Sequence, residues 1–235
     1  MFNKKCTVEY DGTFFSGWQI QNGVRTVQGE ITRVLSKIYK QRILIYGAGR
    51  TDARVHAEEQ VFNFISDRNI ECKQLMAGIN SLLPKDIVVT SVVDVPITFH
   101  ARKSAKMKTY SYRIFNKDIR SVFCANRAWW VRRKLDLDIL KGYLKYFEGE
   151  RDFKRYCKNS IVYFTTIRKI YNIELVNDKD YLTIKITANG FMRRMARNIV
   201  GTAIMCSISK KALEDLDKNV YTAPPHGLYL TQVHY

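Results

Sequence analysis

Residues 47–57, GAGRTDARVHA, set one carboxylate, Asp52, between Arg50 and Arg54, with two glycines before it and His56 after it. Flanking guanidinium groups keep a carboxylate ionised even where it is partly shielded from water. A nucleophile requires that state, whereas an aspartate that only bonds turn amides does not need such company. The glycines begin like a dinucleotide fingerprint, but no third glycine and no helix follow, so a Rossmann reading fails. His56, at the start of a strand, reads as a hydrogen-bonded structural residue and takes no part in the chemistry. Tyr110 sits in KMKTYSYRI among Lys106, Lys108 and Arg113. There it either packs within a strand or offers a cation-ringed aromatic face to an unstacked base. Residues 191–201, FMRRMARNIVG, gather Arg193, Arg194 and Arg197. They form a solvated face, a phosphate clamp, or the counter-ion of a buried acid.

Elements on either side must position these groups. KKCTVEYDG reads as a strand closed by the Asp11-Gly12 turn signal, and TVQGEITRVLSKIYK as a helix with Val27, Ile31, Val34, Leu35 and Ile38 on one face. RILIYGAG and EQVFNFI are strands on either side of the Asp52 segment. ECKQLMAGINSLLP is a helix stopped by Pro84, and DIVVTSVVDV is a β-branched strand. The order β-α-β-β-α-β is that of a split, ferredoxin-like unit. The second half repeats it: strand MKTYSYRIF, helix LDLDILKGYLKYF, a hairpin of IRKIYNIELV and YLTIKITA turning at NDKD, a helix over 191–206, and a closing strand GLYLTQVHY. At ~100° per residue, Met192, Met195, Ala196, Ile199, Val200 and Ala203 share one side of the 191–206 helix. Arg193, Arg194, Arg197 and Asn198 fall on the other. The expected fold class is α+β, with two such halves related by a pseudo-twofold and their sheets forming a basic cleft. The halves are expected over 1–104, carrying the Asp52 loop, and 105–235, carrying Tyr110 and the arginine helix.

The chain has 39 Lys and Arg against 22 Asp and Glu, a net charge of +17. An excess of that size points to a polyanionic partner, because each cation set against a phosphate releases a condensed counterion. Five scattered cysteines, none spaced C-x-x-C, fit reduced thiols and not a disulfide framework or zinc knuckle. Four histidines without H-E-x-x-H spacing give no catalytic metal site. The first residues lack the apolar core of a leader, and no segment reaches the length of a membrane span. The expectation is a metal-free, cytoplasmic protein with no membrane contact.

Several segments, in order along the chain, resemble the TruA-type tRNA pseudouridine synthases. YDGTFFSGWQ resembles that family's opening signature and TVQGEI its first helix. GAGRTDARVHA resembles its catalytic motif, and FHARKSAKMKTYSYRI the segment carrying its active-site tyrosine. FMRRMARNIVG resembles its late arginine helix, and APPHGLYL its C-terminal signature. The resemblance implies the pseudouridine synthase fold and isomerisation of uridine in the anticodon stem-loop of tRNA, at positions thirty-eight to forty. It also implies no cofactor, no metal, and a homodimer across which one tRNA lies. Asp52 falls on the catalytic aspartate, Arg50 on the motif arginine, Tyr110 on the active-site tyrosine, and Arg197 on the arginine that pairs with the acid. This chain departs from the pattern at Arg54, where the family has glycine, at Lys103, where an aromatic is usual, and at Ala196, where valine is common. A left-handed backbone at Arg54 would cost about 1–2 kcal/mol. The alternatives are a paralogue acting on other tRNA or ribosomal uridines, and a non-catalytic RNA-binding or chaperone protein on the same fold.

Overall fold

The computed structural model describes residues 1–178 and 181–235. The chain folds as two compact units, Met1–Lys106 with Leu230–Tyr235, and Met107–Tyr229.

The first unit runs β1 (Phe2–Tyr10), α1 (Val27–Tyr39), β2 (Ile45–Gly47), β3 (His56–Ser66), α2 (Cys72–Leu82) and β4 (Ile87–Val95). β1 lies between β4 and β3, antiparallel to both, and β2 pairs antiparallel with β3. The order β4-β1-β3-β2 is that of the ferredoxin-like unit read from the sequence. Alternation decides which face each strand buries: in β1, Cys6, Val8 and Tyr10 point into the core. Helix α1 adds Val27, Ile31, Val34 and Leu35 to that core, all fully buried at helical spacing. Its N-terminus is capped by Thr26, whose hydroxyl accepts from Gly29 N–H. Helix α2 stops at Leu82, two residues before Pro84, as proline's steric demand on the preceding residue requires.

The second unit contains β5 (Met107–Phe115), β6 (Trp129–Trp130), α3 (Leu137–Lys145), β7 (Gly149–Asp152), β8 (Ile167–Asp178), β9 (Tyr181–Ala188) and α4 (Met195–Ser209). Its strands lie in the order β5-β9-β8-β7, each neighbour antiparallel, with β6 parallel beside β5. The β8–β9 hairpin forms in the register Asp178↔Tyr181; two residues of its NDKD turn fall outside the described residues.

The last strand, β10 (Leu228–His234), begins in the second unit and ends in the first, next to β3. A division at 104/105 treats each half as one continuous stretch. The closing six residues instead belong with the first unit, where His234 C=O accepts from Lys106 N–H at 2.8 Å.

The arginine helix starts later than its apolar pattern suggested. α4 begins at Met195, not at 191, because Arg194 takes a left-handed backbone with φ of 66°. Met195 N–H closes a tight turn onto Met192 C=O at 3.0 Å. Arg193 and Arg194 therefore precede the helix instead of sharing its polar side. The helix is also buried nearly all round. Asn198, placed on the polar side by the wheel, is buried: its amide donates to Tyr156 C=O at 2.8 Å and accepts from the Thr222 hydroxyl at 2.7 Å.

Candidate active site

Asp52 is half-buried on a turn between β2 and β3, with buried Thr51 before it. Its carbonyl accepts from Val55 N–H at 3.2 Å, so residues 52–55 form a β-turn. Arg54 occupies the third position with φ of 64°, where a turn of this kind favours glycine. The left-handed backbone raised as a condition at Arg54 is therefore present.

What holds the turn is the segment YDGTFFSGWQ. Trp18 N–H donates to Thr51 C=O at 3.1 Å, and Arg54 N–H donates to Phe15 C=O at 3.1 Å. The Tyr10 and Thr51 hydroxyls are 2.8 Å apart and bonded, both buried. Burial pushes the Tyr10 hydroxyl well above the ordinary tyrosine range, so it stays protonated. Gly17 presses against the turn so closely that a Cβ there would lie 2.6 Å from Thr51 O and 3.1 Å from Ala53 N. Its φ of 92° independently disfavours a side chain. The same segment also caps α1: Gly17 and Trp18 carbonyls accept from Val27 N–H at 3.2 Å and Gln28 N–H at 3.0 Å. One stretch of chain thus ties the Asp52 turn to the start of a packed helix. Arg25 stacks 4.1 Å from the Phe15 ring and forks onto Asp86 with two 2.8 Å bonds, which anchors the middle of that stretch.

His56 is buried, and its Nδ1 accepts from Gly12 N–H at 3.0 Å. That bond makes it part of the brace, consistent with its structural reading. Arg50 and Arg54 are exposed on either side of Asp52.

In the second unit, Tyr110 is buried on β5, opposite Ile186 of β9, with its ring edge-on to Phe191 at 4.8 Å. Arg197 lies in the first turns of α4 and is strapped by the APPHG segment. Its Nε donates to Ala223 C=O at 2.8 Å, and its own carbonyl accepts from Ala223 N–H at 3.0 Å. Gly201, one turn on, lets that segment approach: a Cβ there would meet Ala223 N at 2.6 Å. The strap reaches β5 as well, through the Tyr112 hydroxyl donating to Pro224 C=O at 2.8 Å. Burial raises the Tyr112 hydroxyl well above its usual range, opposed by the charge of Arg197.

In the sequence YDGTFFSGWQ and APPHGLYL stand out only as signatures, and their bracing role comes from the fold. The signal for that role lay in the glycines of YDGTFFSGWQ and in the strap sequence APPHG. Among the described residues no group of three or more His, Cys, Asp or Glu is placed to hold a metal ion. No described helix is long and apolar enough to cross a membrane.

The site is an aspartate braced on a turn, on a ferredoxin-like unit within a strongly basic α+β chain. The sequence pattern of tRNA pseudouridine synthase matches residues 7–102 and 144–235, which include Arg50, Asp52 and Arg197 and leave Tyr110 outside. A tRNA pseudouridine synthase A of Caldicellulosiruptor bescii is 39% identical over 244 residues, covering 100% of both chains. The protein of the same name from Dictyoglomus thermophilum is 39% identical over 246 residues, again covering 100% of both. That of Pseudothermotoga lettingae is 38% identical over 96% of each. The chain belongs to the tRNA pseudouridine synthase family.

Proposed function

We propose that the protein isomerises uridine to pseudouridine in the anticodon stem-loop of tRNA, at positions thirty-eight to forty, with Asp52 as the nucleophile. Family membership supports the reaction. The observation that carries the assignment to Asp52 is its turn, gripped by Tyr10, Phe15, Gly17 and Trp18 yet leaving the aspartate half-exposed. A nucleophile must be aimed, and a turn held from several sides does this without a regular element around it.

The target uridine leaves its stack, because its glycosidic bond is out of reach inside a stem. Asp52 attacks at C6 of the uracil or C1′ of the ribose. The N1–C1′ bond breaks, the base turns while held and C5 bonds to C1′; the bond to Asp52 breaks and frees its carboxylate, the C5 proton departs and N1 takes one up. Tyr110 provides the aromatic surface for the base, and Arg50 and Arg197 provide the positive charge the reacting acid requires. The protein acts without cofactor or metal, as a cytoplasmic homodimer that one tRNA spans.

Arg54 favours a second reading. A left-handed, exposed arginine in place of the expected glycine suits a relative that reads a different RNA surface and modifies other tRNA or ribosomal uridines. One experiment covers both: purified protein is incubated with unmodified tRNA and ribosomal RNA, and pseudouridine is mapped chemically. New pseudouridine at the stem-loop positions supports the first reading, new sites elsewhere support the second, and no new pseudouridine refutes the isomerase.

A further inference from the structure

Residues 158–166 of the second unit form a loop whose apolar side chains face solvent. Ile161, Val162 and Phe164 have relative exposures of 97%, 75% and 107%. Three large hydrophobic residues so exposed within four positions are not scattered surface chemistry. Nor is the loop unbuilt. A short 3-10 turn spans Ser160–Val162, entered through Asn159 in the left-handed region. Between the exposed residues, Tyr163 turns inward, and its hydroxyl accepts from Arg193 N–H at 2.7 Å. Lys158 N–H donates to Arg193 C=O at 3.0 Å, and the Arg168 guanidinium lies 6.0 Å from the Tyr163 ring centre. Arg168 also donates to the Thr165 and Ile167 carbonyls at 2.9 and 2.6 Å. The base of the loop is fixed, and its apolar tip is presented.

Charge narrows the partner. Residues 153–169 contain Lys154, Arg155, Lys158, Arg168 and Lys169 and no Asp or Glu. A second copy of this chain would bring a collar of the same sign to that tip. A polyanion with apolar faces is complementary to it, and RNA has both: phosphates for the cations and base faces for the hydrophobic residues. The placement narrows it further. The loop rests on Arg193, two residues after Phe191, whose ring packs on Tyr110.

We propose that Ile161, Val162 and Phe164 form a wedge that enters the RNA stack next to the target uridine and holds it open while the base is out. Apolar wedges of this kind part base steps elsewhere, and the energy of unstacking is what they supply. The inference rests on the proposed function, because Tyr110 marks the target's position only if this is a uridine isomerase. Phe164 is a positioning residue: it acts on the neighbouring base, not on the reacting atoms.

The test compares two tRNA transcripts, one with the target uridine base-paired and one with its pairing partner changed so that the uridine is already unpaired. Phe164→Ala is expected to lower kcat on the paired target by about 10–100-fold, the range that loss of one base–aromatic stack implies. KM is expected to stay within about threefold, as is turnover of the unpaired target, and Phe164→Trp to restore the rate. Equal loss on both transcripts, or loss on neither, overturns the wedge. So does a change in sedimentation behaviour of Phe164→Ala without RNA, which would assign the tip to a protein contact. A second readout does not need turnover. In the Asp52→Asn background, 2-aminopurine next to the target uridine should brighten on binding, and Phe164→Ala should remove that rise. A rise that survives Phe164→Ala, or no rise with either protein, overturns the wedge even if wild-type protein makes no pseudouridine and the isomerase reading falls.

Discussion

The Asp52 turn and the start of α4 solve the same problem in different ways. Each presents one polar residue, each has an arginine in the left-handed region, Arg54 at 64° and Arg194 at 66°, and each is gripped by a segment distant in sequence. In the first unit the grip comes from YDGTFFSGWQ and holds an irregular turn, so the aspartate's aim depends on backbone bonds from Trp18 and Phe15. In the second it comes from APPHG and holds a residue on a helix buried nearly all round, so Arg197 is already placed by α4. A turn has no ladder of its own to keep its shape, whereas a helix does. Asp52 should therefore be the more sensitive of the two to changes in its surroundings.

The strongest test of that contrast is at Asp52 itself. Asp52→Asn should lower pseudouridine formation by more than about 1,000-fold while tRNA affinity, set by phosphate contacts, stays within a few-fold. Filter binding beside a single-turnover assay would separate the two. Retained turnover would remove Asp52 from the chemistry.

Next come the two glycines. Gly17→Ala should destabilise by about 2–4 kcal/mol, since its Cβ meets the Asp52 turn and its φ of 92° disfavours any side chain. Gly201→Ala meets only the crowding of residues 221–223, and about 1–3 kcal/mol is expected. Urea unfolding gives both values. Activity assayed well below each variant's melting point should fall further for Gly17→Ala; the reverse order would invert the comparison.

Tyr10→Phe is a smaller change in the same brace. It removes the bond to Thr51 Oγ1 and should cost about 1–2 kcal/mol at neutral pH. It also changes the alkaline limb. The Tyr10 hydroxyl is raised in the folded protein, so its contribution is complete below the unfolded value of about 10 and is lost as pH climbs toward the folded value. Above about pH 10 the wild type should therefore lose stability more steeply than Tyr10→Phe, by one proton's worth of slope. Parallel alkaline limbs would show that the hydroxyl is not buried.

The smallest effect is expected at Arg54. Arg54→Gly relieves the left-handed backbone and should raise stability by about 0.5–1 kcal/mol after the greater freedom of glycine in the unfolded chain is allowed for. A fall of about one in the slope of log affinity against log salt would assign Arg54 a phosphate; an unchanged slope would make it a matter of turn geometry alone.

The elements that were legible in the sequence are those with a period. Val27, Ile31, Val34 and Leu35 announced α1, the β-branched run announced β4, and the order β-α-β-β-α-β was read along the first unit. The left-handed backbone at Arg54 was legible only through the resemblance, because the family has glycine there. The start of α4 was not, because an apolar stripe continues through Met192 whether or not Arg194 breaks the helix. The burial of Asn198 was equally hidden, since the groups that cover it come from Tyr156 and Thr222.

Composition, period and motif spacing determined that this chain folds as α+β units, carries a strong positive charge and keeps one aspartate among arginines. Such features are local, or sums over the chain, and need no partner in space. Tertiary structure alone decided what braces that aspartate, where the last six residues go, and which hydrophobic residues stay out in solvent at 161–164. Each of those depends on which distant backbone comes within hydrogen-bonding reach, and no pattern along the chain encodes that distance.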